Sequence, residues 1–110
     1  MADDWQKNHF KREDQLDKEI KQYDAKHGNY TFPASMGIRK AKLQIEWWAH
    51  SIKDPAVRKK FVFEANKLIS GKKFAKGMDV PRGVDIEYLF YKIAHGYSDE
   101  QYAEHLRSYD

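Results

Sequence analysis

The chain is expected to fold as an all-α protein, a compact bundle of four to five helices with a long, exposed N-terminal helix. Three observations point to this class. Apolar residues recur three and four apart, the spacing that lines up one side of an α-helix. Proline and glycine fall where such helices would begin and end. Alternating runs of strand type are absent apart from the short Phe61-Val62-Phe63, which the helical pattern absorbs. At 110 residues the whole chain, 1–110, is expected to be one domain. Leu, Ile, Val and Phe supply 22 residues, close to the level below which disorder sets in when net charge is high. The net charge is only +3, and three Trp and seven Tyr add apolar area, so a folded domain with a thin, aromatic-rich core is expected.

Residues 3–27 are rich in charge of both signs. Leu16, Ile20 and Tyr23 fall on one side of a helix. A long helix with a narrow apolar seam is predicted, its first ten residues frayed. It either leans on its own domain or docks a partner. Gly28-Asn29 reads as its stop, and residues 29–33 as a turn. A second helix is predicted from about Pro33 or Ser35 to Lys53. Ile38, Ala41, Ile45, Trp48 and Ile52 form its apolar stripe, widened by Leu43 and Trp47.

Asp54-Pro55 is an acidic N-cap with proline at the first helical position. The third helix then buries Val57, Phe61, Val62, Ala65, Leu68 and Ile69, and Gly71 closes it as a C-terminal cap. Residues 71–83 carry three glycines, one proline and four bases and are predicted as a loop. A fourth helix spans about 84–95, with Ile86, Leu89, Phe90 and Ile93 inward. Ser98 and Gln101 have capping-box spacing and open a short last helix, docked through Ala103, Leu106 and Tyr109.

Charge is unevenly placed. Residues 37–76 hold eleven Lys and Arg against three acids, residues 1–36 six against seven, and residues 77–110 three against seven. A basic centre lies between two mildly acidic ends, a polarity that bears on partners. Arg58, Lys59 and Lys60 open the third helix, where cations oppose the helix dipole and stability alone would favour acids. Lys72, Lys73 and Lys76 follow in the loop, and Arg39, Lys40 and Lys42 lie on the preceding helix. Phosphates favour such groups because each one neutralised releases condensed counterions. Phe63 and Phe74 offer stacking surfaces of the kind single-stranded nucleic acid uses. The plainer reading, a solvated basic face, stays open beside it.

The stretch from Ile93 to Leu106 (Ile-Ala-His-Gly-Tyr-Ser and the short helix after it) resembles the first half of a LuxR-type helix-turn-helix. That resemblance covers 14 residues. It implies a recognition helix after Leu106, yet only Arg107, Ser108, Tyr109 and Asp110 follow. The same segment is similar to the last helix of small c-type cytochromes, whose haem attachment needs the Cys this chain lacks. Neither family is assigned.

Other chemistries have little support. There is no cysteine, hence no disulfide or thiolate site. Gly71 to Gly77 lacks the Gly-Lys-Ser/Thr ending of a P-loop. The five histidines (His9, His27, His50, His95, His105) show no metal-binding spacing and read as surface or helix-end residues. No enzyme, cofactor or metal is expected. No secretion signal or membrane span is recognisable, so cytoplasmic residence is the default.

Two functions follow. The leading one is a small non-enzymatic nucleic-acid-binding accessory protein contacting phosphates through Arg39, Lys40, Lys42, Arg58, Lys59, Lys60, Lys72, Lys73 and Lys76. The alternative is a protein-binding adaptor or inhibitor of phage or plasmid type. It would dock through Trp47, the N-terminal helix, or an acidic C-terminal face of Asp85, Glu87, Asp99, Glu100 and Glu104. Bacteriocin-immunity proteins have a similar small, basic, cysteine-free composition.

Overall fold

Helix α2 stands at the centre of the molecule, with α1 against one side and α3 and α4 against the other. The computed structural model describes residues 4–78 and 85–108. Five helices run in the order α1 (Asp4–His27), α2 (Ala34–His50), α3 (Pro55–Ser70), α4 (Ile86–Ala94) and α5 (Asp99–Arg107), and no strand occurs among the described residues. The class expected from the sequence, an all-helical bundle with a long first helix, is the one observed.

Local chemistry sets most of the boundaries. The Asp54 carboxylate accepts hydrogen bonds from Ala56 N (2.8 Å) and Val57 N (3.3 Å), and Pro55 fills the first helical position of α3. Ser98 and Gln101 form a reciprocal capping box at α5, Ser98 Oγ accepting from Gln101 N and Gln101 Oε1 from Ser98 N. Gly71 follows α3 as expected, but in right-handed geometry (φ −81°), so it is not a left-handed cap. Gly28 plays that part after α1, at φ +108°. The following turn closes on Asp24, whose carboxylate accepts from Thr31 N and Phe32 N, each at 3.1 Å.

The core joins α2, α3 and α4. Ala41, Ile45, Ala49 and Ile52 meet Phe61, Ala65 and Ile69 of α3 and Ile86 and Phe90 of α4. Burying a ring as completely as Phe61 contributes about 1.5–3 kcal/mol. Leu43 and Trp47 do not widen this stripe. Leu43 is two residues from Ile45, about 200° around the helix. It and Trp47 form a second face, which receives α1. Among the described residues α1 packs on α2 and on no other helix.

Aromatic and ionic contacts hold α1 there. The Trp5 ring stacks on His50 with centroids 3.7 Å apart and planes within 5°. His9, expected at the surface, is only 2 % exposed and packs against both Trp5 and Trp47. The guanidinium of Arg12 donates to both oxygens of Glu46, at 2.8 and 3.2 Å. At the other end of the chain α5 packs on α4. Here the expectation fails in detail: Ala103 is exposed and Leu106 is 46 % exposed. The docking groups are Tyr102, buried against Tyr88, and His105, its ring 4.4 Å from that of Tyr91. These two occupy the inner side of α5 three residues apart, which turns Ala103 outward, while Leu106 lies at the edge of that side in the last turn of the helix. Tyr109, residues 79–83 of the expected loop and residue 84, the expected start of the fourth helix, lie outside the described residues.

Candidate functional site

The outer face of α3 follows from its inner one. With Phe61, Ala65 and Ile69 committed to the core, residues about half a turn away must face solvent. Phe63 does so, at 64 % exposure. Lys59 and Lys67 stand one turn before and one turn after it, on the same side of the helix. A shallow furrow of about 870 Å³ runs along this face between Pro55 and Ser70. Its lining includes Arg58, Lys59 and Lys67 together with Val62 and Phe63, and no acid is among its described lining residues.

Around the side of α3 a second groove, about 590 Å³, lies between α1 and α3 with α2 as its floor. Arg12, Lys42 and Arg58 line it, with Glu46 and His50. Arg58, Val62 and Asn66 line both hollows, so the two adjoin along this row of α3.

The nine cations singled out from the sequence are therefore not gathered at one point. Lys42 and Arg58 share the side groove, and Arg58 and Lys59 share the furrow. Lys60 points away from Arg58 around the helix and stands one turn before Glu64. Arg39 is paired with Glu19 of α1 at 3.0 Å. Lys40 lies on the other flank of α2, in a hollow shared with Glu13 and Asp17. Lys72 lies at the far end of α3, beside Lys67 and Glu64. Fourteen residues separate Arg58 from Lys72, a rise of about 20 Å along a helix. Lys73 and Lys76 are exposed in the turn beyond. That turn is tied back to the α1–α2 corner by Gly77 N donating to Phe32 O at 2.7 Å. The result is a basic line along α3, with Lys42 and Arg12 beside its N-terminal end.

Two cations in these hollows, Lys67 and Arg12, were not anticipated. Lys67 was legible, since it falls at the same helical spacing from Phe63 as Lys59. Arg12 was not, because its place depends on how α1 lies on α2. Of the two candidate stacking rings, Phe74 is half-buried and packs against the core, whereas Phe63 stands free of it.

The residues named for a protein partner fall in separate places. Trp47 is 36 % exposed and lies with Phe10, Glu13 and Asp17 around a groove of about 430 Å³ between α1 and α2. The C-terminal acids are mostly engaged within the fold. Asp85 caps α4 by accepting from Tyr88 N at 2.9 Å. Asp99 accepts from the Tyr88 hydroxyl and lies 3.3 Å from the Lys92 ammonium. These two partners, the hydroxyl first, hold its carboxyl below the usual carboxylate range, and Tyr88 and Asp99 raise Lys92 in turn. Glu104 pairs with Arg107 at 2.7 Å. Glu87 is half-buried and Glu100 exposed.

His95 and His105 both pack against the Tyr91 ring. Among the described residues no group of three or more His, Asp or Glu is placed to hold a metal ion. None of the described helices is long and apolar enough to cross a membrane. Compared with models of known protein families, with curated proteins and with solved structures, the chain matches none.

Proposed function

We propose that the outer face of α3 binds the phosphate backbone of a nucleic acid, with Arg58, Lys59, Lys67 and Lys72 as the principal phosphate ligands. The observation that carries this reading is the acid-free furrow beside Lys59 and Lys67. Elsewhere basic side chains are interleaved with carboxylates, as Arg12 is with Glu46 and Arg39 with Glu19. Within the furrow the positive potential is left for a ligand. Such a surface binds through counterion release, without reading sequence.

Salt titration of binding tests the reading. Four phosphate contacts correspond to a log–log slope of about −3 to −4, and Lys59→Gln or Lys67→Gln should each reduce it by roughly 1. No binding at low salt, or a slope that both variants leave intact, would refute it.

A second reading, docking of a partner protein, is favoured by the exposed aromatic pair Phe10 and Trp47, whose rings lie 5.5 Å apart beside Glu13 and Asp17. Exposed Trp is a frequent interface anchor. A Trp47→Ala protein that keeps every partner the native chain retains would exclude that anchor.

A further inference from the structure

We infer that Phe63 is a base-stacking platform and that the ligand of the α3 face is single-stranded nucleic acid. The inference rests on the phosphate-binding reading above and makes it specific. Phe63 lies mid-helix with most of its ring in solvent. The fold does not need it there, because Phe61, Ala65 and Ile69 supply the inner face of α3. Its neighbours one turn away in each direction are Lys59 and Lys67, each displaced by about 6 Å along the axis. Val62 and Pro55 extend the apolar floor beside it.

A ring flanked by two ammonium groups, with no carboxylate in the furrow, matches a nucleotide more closely than a phosphate alone. The base would lie on the ring while the lysines take the phosphates on either side. Duplex DNA offers phosphates but keeps the π-faces of its bases inside the stack. An unpaired strand offers both, and stacking on an aromatic side chain accepts any base.

The test uses the full chain and three probes of about a dozen nucleotides each: oligothymidylate, an abasic strand of the same length, and a duplex. Phe63→Leu keeps an apolar, helix-compatible side chain at an exposed position, and circular dichroism checks that it folds. It should weaken oligothymidylate binding roughly tenfold, with the salt slope unchanged. Abasic-strand and duplex binding should stay within about twofold of the native chain. Phe63→Trp should retain or improve oligothymidylate binding.

If Phe63→Leu leaves oligothymidylate binding intact while the salt slope persists, stacking is refuted and the phosphate reading stands. Equal weakening on all three probes also refutes stacking, because the ring would then matter without a base to meet it. Failure of the native chain to bind any probe at low salt overturns both.

Discussion

Arg58 reaches back to the carbonyl oxygen of Ile52: its Nε donates to that oxygen across 2.9 Å, and its Nη2 donates to the same atom. The residue that opens the basic face therefore also closes the corner between α2 and α3. Its two roles separate by substitution. Arg58→Ala should lower stability by about 1.5–3 kcal/mol, the worth of a hydrogen bond from a charged group, and urea unfolding reads the loss directly. Arg58→Lys keeps the charge and loses the planar fork. It should show much of the destabilisation with little change in the salt slope of binding.

The α1–α2 turn depends on one carboxylate. Asp24 accepts from the backbone N–H groups of Tyr30, Thr31 and Phe32, and Tyr30 sits at φ +60° within that turn. Removing the acceptor strands several donors together. Asp24→Ala is expected to cost about 2 kcal/mol, and Asp24→Asn, which keeps one oxygen, about half as much. Hydrogen exchange at the Thr31 and Phe32 amides should accelerate in step with the loss.

Two glycines at positive φ make a contrasting pair. At Gly96 an added Cβ meets nothing within 4 Å, so Gly96→Ala carries only the left-handed backbone penalty of about 1–2 kcal/mol. At Gly77 the same atom would lie 1.8 Å from the Tyr30 carbonyl oxygen. The backbone must move, and the bond from Gly77 N to Phe32 O goes with it. Gly77→Ala should therefore cost more than Gly96→Ala in thermal unfolding. It should also free the amides of residues 72–78 to exchange.

What was legible in the sequence was local. Asp54-Pro55 and the Ser98/Gln101 pair specify helix starts within four residues, and both starts are observed. The Ala41–Ile52 stripe is likewise a matter of period. Partnership between faces is not. Leu43 and Trp47 are apolar at positions that look like the edge of one stripe. Only the approach of α1 makes them a separate surface. The burial of His9 had a faint signal, Trp5 one turn away, but it required knowing that His50 and Trp47 lie opposite. The same limit applies to the candidate site. Exposure of Lys59 and Phe63 follows from the α3 pattern alone. The pairing of Arg39 with Glu19 spans twenty positions and two helices, and no spacing rule reports it.

The clasp between α4 and α5 has a pH signature. Tyr88 and Lys92 hold Asp99 below its ordinary 3.8, so the charged carboxylate stabilises the folded chain. That contribution is complete above pH 3.8 and is lost as pH falls through the lower folded value. Lys92 is raised above 10.5 by Tyr88 and Asp99. Its contribution is complete below pH 10.5 and disappears as pH rises through the higher folded value. Between these limits the contribution of the Asp99–Lys92 pair should be insensitive to pH. Asp99→Asn removes the charge while leaving the Ser98/Gln101 cap in place. The difference in melting temperature between the native chain and the variant should be constant from about pH 5 to 9 and shrink below about pH 4. A gap that persists undiminished at about pH 2 would mean that Asp99 stabilises the clasp through its shape and not its charge.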